Sequence, residues 1–539
     1  FSPSSGSVGT LVTISGTDLG TPTAFTIGGT TAIVISNTGT SLVGMVMPGA
    51  TTGTISLTTA GGTVAGGSNF TITAAQAPNT QQGNKLVGTG NTGAAYQGYS
   101  VAVSADGNTA IVGGNGDNTF QGAAWIYTRT GSTWSQQGGK LVGTGNTGAA
   151  RQGQSVALSA DGNTAIVGGY QDDTNVGAVW VYTRTGSTWS QQGNKLVGTG
   201  NTGAAWQGQS VSLSADGNLA IVGGSQDNNY QGAAWVYTRS AGIWSQQGNK
   251  LVGTGNSSAA YQGHSVSLSA DGNTAIVGGY QDNFSQGAAW VYTRSGNTWS
   301  QQGNKLVGTG NNGTALQGAS VALSADGNTA VVGGNSDNSN LGAVWVYTRT
   351  GSTWSQQGNK LVGTGNTGIA NQGYSVSLSA DGNTAIWGAN FDNANQGAAW
   401  VFTRTGSTWS QKGNKIVGVG NTGVAVQGSS ISLSADGKTA LVGGFSDNFS
   451  QGAVWAYTFV LPTNADLSSL TTTAGTLSPA FSSGTLAYTA AVPNATTSIT
   501  LTPTRAEGTA TITVNTVAVA SGDASASLPL VVGANTITS

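Results

Sequence analysis

From Tyr99 the chain alternates short apolar runs with turn residues, reading SVAVSADG, NTAIVGG, GAAWIYTRTG and STWSQQGGKLVG. The runs AIVGG and AAWIY are nearly continuous stretches of apolar and small residues, as in strands covered on both faces by neighbouring sheets. Asp106–Gly107 parts the first strand from the second and Gly131–Ser132 the third from the fourth, with a variable loop around Asp117 between these hairpins. Asp-Gly and Thr-Gly-Ser are hairpin chemistry, glycine supplying the positive φ that strand twist demands. Each block therefore predicts four short antiparallel strands. The block recurs: SADG begins at Ser104, Ser159, Ser214, Ser269, Ser324, Ser379 and Ser434, a constant step of 55 residues. One unit cannot bury both faces of its sheet alone, so a closed radial array is expected.

Seven such blocks predict an all-β fold with a seven-bladed β-propeller over residues 81–460. Gln81–Gln82–Gly83–Asn84–Lys85–Leu86 reads as an outermost strand with no block before it, and the seventh copy stops at Ala456–Tyr457 without one. Strand 81–87 is expected to complete the block of 431–458, closing the ring like a velcro strip and covering two unpaired edges. Residues 1–75 show period-2 alternation broken by Gly, Asn and Pro turns and predict a small Ig-like β-sandwich. Residues 76–80 form a short linker, and 461–539, opening at Leu461–Pro462–Thr463, predict a second sandwich. The chain begins at Phe1 without Met, and both ends are expected to be cuts from a longer polypeptide, with Ser539 falling inside an unfinished strand.

Composition narrows the function classes. The 539 residues include 88 Gly, 37% hydrophobic and only 7% charged residues, which suits short strands and tight turns. Net charge is −2 with no basic block, so nucleic acid and anionic membranes are not expected as partners. No run of about 18 apolar residues occurs, so no membrane insertion is expected. Cysteine is absent, which removes disulfides, Cys-based zinc sites and thiol catalysis.

The repeat, GxSVxxSADGNTAIVGGxxDNxxxGAxWVYTR followed by TWSQQ, resembles the bacterial form of the FG-GAP repeat in all seven copies. Residues 1–75 resemble the IPT/TIG immunoglobulin-like domain through Pro3–Ser4–Ser5–Gly6, Ser15–Gly16–Thr17 and Asn69–Phe70–Thr71. The last segment resembles the cadherin-like β-sandwich through LSSL, AGTLSPAF, Tyr488 and the final GANTITS. Together the resemblances imply a large exported bacterial surface protein and an extracellular location. FG-GAP blades of the integrin type carry a calcium loop between the first two strands. Here that place offers one carboxylate, Asp106 or its counterpart Asp161, against the roughly six to eight oxygens calcium takes. No cofactor is therefore expected; calcium at Asp106 and Asp161 stays open beside a plain hairpin turn.

Differences between copies concentrate in two loops that a propeller places on one face. Before the invariant Gln97–Gly98 stand Tyr96, Arg151, Trp206, Tyr261, Leu316, Asn371 and Val426. After it come Tyr99, Gln154, Gln209, His264, Ala319, Tyr374 and Ser429. The loop between the second and third strands carries Phe120, Tyr170, Tyr230, Tyr280, Phe284, Phe391, Phe445 and Phe449. The opposite face repeats SADG and TRTGST almost unchanged, which reads as fixed scaffold. Exposed aromatics beside polar groups suit sugar rings or partner proteins. The periodic Asp117, Asp172, Asp227, Asp282, Asp337, Asp392 and Asp447 could add polar contacts, or else form Asx turns that hold their own loops, the reading favoured for an invariant residue.

The third-strand Trp125, Trp180 and their counterparts read as core, the outer-strand Trp134 series as half-buried, and the Arg129 series as ion-pair partners of the SADG Asp. There is one His, His264, and one Glu, Glu507, and the seven Asp are equivalent by repeat, whereas catalysis needs unlike groups together. No enzyme is expected. The expected function is a non-enzymatic adhesion or binding module with a multivalent carbohydrate- or glycoprotein-binding propeller face, meeting glycans or surface proteins of other cells. The alternative is a structural subunit of a surface filament, the propeller packing against sister subunits in a homo-oligomer.

Overall fold

Each 55-residue block folds as its turns dictate. In the first, Ser100–Val103, Thr109–Gly114, Ala123–Thr130 and Thr133–Gln136 form one antiparallel four-stranded sheet. The structure is a computed structural model that describes residues 1–257, 259–460, 466–506 and 512–538. Leu461–Pro462–Thr463, Glu507, Ser258 and Ser539 lie outside the described residues. Five more complete sheets repeat the first, and in the seventh Ser430–Leu433, Thr439–Gly444 and Ala453–Thr458 are joined by Thr80–Gln81 from the start of the repeat region. Gln81 lies opposite Tyr457, and Leu86 bridges to Val454. The closing strand is shorter than 81–87 because Gly83, at φ 70°, turns the chain between these two contacts. Residues 76–80 do more than link: Ala77 is buried in the core of the seventh sheet, and Asn79 N–H donates to Thr458 O at 3.1 Å.

The seven sheets are hydrogen-bonded in cyclic order through their first strands. The Oγ of Ser100 donates to Gly153 O at 2.8 Å, and equivalent bonds follow from Ser155, Ser210, Ser265, Ser320 and Ser375. Ser430 then donates to Gly98 O at 2.7 Å, which returns to the first sheet. At the other end of these strands the SADG alanines are linked in series, Ala105 N–H to Ala160 O at 2.9 Å and onward to Ala435.

Between sheets, the third-strand tryptophans are wholly buried, as their invariance predicts. Trp125 donates its Nε1–H to Thr89 O at 2.8 Å, and its ring lies so close to Gly88 that a Cβ there would sit 2.3 Å from Cδ1. The invariant Gln97 is also structural: its amide accepts from Gly88 N–H at 2.5 Å and donates to Gly88 O at 2.9 Å, clamping the connection into the block. The Arg129 series departs from expectation. Its guanidinium lies 5.4 Å from the Trp134 ring centroid and donates to Asn108 Oδ1 at 3.0 Å, instead of forming an ion pair with the SADG Asp. Burial lowers its pKa, while Asp106 and Asp436 at longer range act the other way.

The N-terminal region forms a five-stranded and a three-stranded sheet around Val12, Phe25, Ile27, Leu42, Ile55 and Phe70. A separate apolar cluster joins it to the repeat: Ile35, Met45 and Met47 pack against Ala105, Ala160, Ala215, Ala325 and Ala380. Gly9, at φ 90°, lies against the Ala435 backbone. The constant SADG face is thus the seat of the N-terminal sandwich, and one compact unit runs from Phe1 to Phe459.

The second unit, Val460–Ser539, pairs Leu467–Thr472 with Leu501–Arg505 and Ile512–Val514 with Val517–Val519 around Ile499, Leu501 and Val514. Within it Tyr488 Oη donates to Ser482 O at 2.6 Å.

Candidate functional site

The varied residues come together at the seams between adjacent sheets, at the end of the first strands opposite the N-terminal sandwich. Backbone bonds set the geometry. Arg151 N–H donates to Phe120 O at 2.9 Å, Trp206 N–H to Asn175 O at 3.0 Å and Tyr261 N–H to Tyr230 O at 2.8 Å. The residue before each Gln-Gly therefore sits beside the second-to-third loop of the preceding sheet. Both partners hold left-handed backbone: Tyr96, Arg151, Trp206 and Tyr261 have φ of 56–61°. Asn118, Thr119 and Phe120 take φ of 48°, 57° and 66° in succession. Such conformations cost non-glycine residues about 1–2 kcal/mol each and persist only where the surroundings over-determine them.

Side chains cross these seams. Tyr96 lies 6.3 Å from Phe120 and 6.2 Å from Phe445, and the Arg151 guanidinium stands 4.1 Å over the Phe120 ring while donating to Gln171 Oε1 at 2.7 Å. Tyr170 meets Trp206 at 4.8 Å. Tyr261 stacks on Tyr230 at 5.1 Å and touches Tyr280 at 5.4 Å, and His264 reaches Tyr280 at 4.4 Å. Phe391 is exposed, and Phe284 and Phe449 are 86% and 93% exposed at the tips of their loops. The aromatics thus line the seams from the seventh sheet through the first to the fourth, and the sixth adds Tyr374 and Phe391, whereas the fifth contributes amides such as Asn335.

The periodic aspartates are the correction. Asp117, Asp172, Asp227 and Asp282 are buried and cannot meet a ligand. Asp117 Oδ1 accepts Thr92 N–H at 2.7 Å, and its Oδ2 holds Lys140 Nζ at 2.5 Å. Asp172 pairs with Thr147 N–H and Lys195, Asp227 with Thr202 N–H and Lys250, and Asp282 with Ser257 N–H and Lys305. They tie the connection between sheets and do not cap their own loops. Lys85 does the same for Asp447, joining the two ends of the repeat region. The sequence held a signal for this pairing, a lysine in each QQGxK run at the same period as the aspartates, but charge sign alone did not place it.

Asp106 is a hairpin residue: its Oδ1 accepts Ser104 Oγ at 2.5 Å and Asn108 N–H at 2.9 Å. Asp161 repeats this with Ser159 and Asn163. Among the described residues no three His, Cys, Asp or Glu side chains cluster as a metal site.

Sequence reasoning noted the residues after each Gln-Gly as variable but did not assemble them. They ring the axis. Six of them line a cavity of about 200 Å³: Tyr99, Gln154, Gln209, His264, Tyr374 and Ser429.

Two family models match parts of the chain. The Cadherin-like beta sandwich domain matches residues 467–539, in agreement with the expected resemblance. The model described as histone H3 K4-specific methyltransferase SET7 N-terminal matches residues 115–180, 225–286, 280–343 and 391–453. Each of these four stretches opens in the second-to-third loop of one sheet and runs on through antiparallel strands, so the likeness is one of repeated β-hairpins. None of the curated proteins compared matches the chain. No helix among the described residues is long and apolar enough to cross a membrane. The chain is similar, over its last 73 residues, to the Cadherin-like beta sandwich domain, and over four stretches of its repeat to the methyltransferase N-terminal model.

Proposed function

We propose that the seven sheets are the blades of a closed seven-bladed β-propeller of FG-GAP type, preceded by an IPT/TIG-like sandwich, and that the chain is a non-enzymatic extracellular adhesion module. Its varied face binds carbohydrate or glycoprotein at several seams at once. The carrying observation is the convergence of Tyr170 with Trp206 and of Tyr230, Tyr261 and Tyr280 at adjacent seams. Aromatic faces bring apolar area with a polar edge, which suits sugar rings. Seam sites of about millimolar strength gain roughly 10²–10⁴ in avidity when engaged together. The cadherin-like match supports a surface setting. A glycan array compared across wild type, Trp206→Ala and Tyr261→Ala tests the reading: loss of signal in both variants is expected, and an array that stays blank or unchanged rejects it.

Phe284 and Phe449 favour a second reading, since side chains so exposed suit a protein interface. There the ring is an assembly node for sister subunits. Sedimentation of wild type and of the Phe284→Ser, Phe449→Ser double variant separates the two, a stable oligomer lost in the variant favouring assembly.

A further inference from the structure

The axial cavity is a different kind of place from the seams. It lies where the seven first strands begin, lined by Tyr99, Gln154, Gln209, His264, Tyr374 and Ser429 and floored by the first residues of those strands. The far end of the same strands is covered by Ile35, Met45 and Met47 of the N-terminal sandwich. The ring is therefore a cup with one open mouth.

We propose that this cup binds one uncharged, hydroxyl-rich ligand per chain, the terminal residue of a neutral glycan. The proposal shares its ligand class with the seam reading but neither its location nor its stoichiometry.

Three observations carry it. First, the wall holds unused hydrogen-bonding capacity. Gln209 Oε1 is buried without a partner. Behind Gln154, Asn115 donates its Nδ2–H to Gln154 Oε1 at 2.9 Å, yet its own Oδ1 is unpartnered in a residue only 2% exposed. Asn390, at the equivalent position of the sixth block and 3% exposed, leaves its Oδ1 in the same condition. Buried acceptors of this kind are costly and rare in native proteins; of the three, Gln209 belongs to the cavity lining, where a hydroxyl donor satisfies it, while Asn115 and Asn390 lie outside that lining. Second, no Lys, Arg, Asp or Glu lines the cup. Its one His is held neutral by burial, with a pKa lowered to about 4, so an ionic ligand would be desolvated here with no counter-charge. Third, the phenol rings of Tyr99 and Tyr374 stand among the amides, giving apolar contact next to donors and acceptors, and a space of about 200 Å³ admits one sugar-sized unit. The seven axial positions read Tyr, Gln, Gln, His, Ala, Tyr and Ser in chain order, a series with no repeating order, so the mouth presents a single asymmetric surface and not seven equivalent ones.

Equilibrium dialysis and saturation-transfer NMR of the whole chain with glucose, galactose, mannose and N-acetylglucosamine, against glucuronate and glucosamine, test it. At least one neutral sugar is expected to bind at one per chain, with the charged sugars at least tenfold weaker. Gln209→Leu should weaken that binding at least tenfold. Ala319→Trp, which fills the mouth at a position where other blocks already carry Tyr, should abolish it even if Gln209→Leu fails to fold. Trp206→Ala at the seam should leave it unchanged. The proposal is overturned by binding at more than one per chain, by loss with Trp206→Ala but not Ala319→Trp, by equal binding of charged sugars, or by no binding of any neutral sugar. The first two of these outcomes leave the seam reading standing.

Discussion

At the level of single residues, the buried carboxylates show why an invariant charge is poor evidence of a binding surface. Asp172 is enclosed by Thr147 N–H and by Lys195, whose own side chain is 19% exposed. Removing the lysine strands a buried charge, which costs about 3–5 kcal/mol in fully buried pairs and less where one partner reaches water. Lys195→Met should therefore lower stability by about 2–3 kcal/mol in urea melts, and Asp172→Asn should cost less because it keeps an acceptor for Thr147. The third-strand tyrosines make the opposite case. Tyr127, Tyr182, Tyr237, Tyr292, Tyr347 and Tyr457 each bury a hydroxyl without a partner, and burial pushes their pKa well up. The sixth block carries Phe402 there instead, stacked 4.2 Å from Trp387. Tyr237→Phe is expected to be neutral or stabilising by up to about 1 kcal/mol, and a clear loss in thermal melts would reveal a hidden partner. His264 adds a pH dependence. With a folded pKa of about 4 against about 6.5 unfolded, the unfolded chain takes up a proton between these values that the folded chain refuses. Stability contributed here is complete above pH 6.5, falls by roughly 1–3 kcal/mol as pH drops towards 4, and is flat below. The titratable neighbours are Tyr261 and Tyr280, which stay neutral throughout. His264→Gln, matching Gln154 and Gln209 at equivalent positions, should remove the slope from pH-resolved melts.

At the level of elements, closure of the repeat depends on contacts from its first residues: Thr80–Gln81 on Ala453–Thr458, Leu86 on Val454 and Lys85 on Asp447. Deleting residues 81–90 opens an edge of the seventh sheet and strands Asp447, so the melting temperature should fall sharply; an unchanged melt rejects closure by this segment. The strands themselves were legible because period, turn chemistry and small-residue runs agree at every block, and the third-strand tryptophans were legible as core because they never vary. What sequence could not supply was the partner of each polar side chain. Lys140 reaches Asp117 only because the outer strand returns over the sheet, and Arg129 lies along Trp134 because the two are opposite one another across the third and fourth strands. The cavity was hidden for the same reason: Gln154 and His264 are 110 residues apart in sequence and line one cavity only once the sheets pack together.

At the level of the whole molecule, the seating of the N-terminal sandwich decides which face is free. The sandwich buries its own core around Phe25, Leu42 and Phe70, and holds a second, separate apolar set, Ile35, Met45 and Met47, against the SADG alanines. An alanine at that position is small enough to let seven turns converge, and it presents only a methyl group to the partner. This explains why the SADG face tolerates so little variation: the turn, the alanine-to-alanine hydrogen bonds and the sandwich surface all constrain it. Placing a charge in this second set should undock the sandwich without unfolding it, because the core around Phe25 is not touched. Met47→Asp buries an unpaired carboxylate in the docked state, a cost of several kcal/mol that undocking relieves. Hydrogen exchange should then accelerate at Ala105, Ala160 and Ala215 while the amides of Ile111 and Val112 in the second strand keep their protection. Limited proteolysis should also cut between residues 75 and 80 in the variant. If the alanine amides stay as protected as in wild type, the sandwich is not what covers that end of the strands.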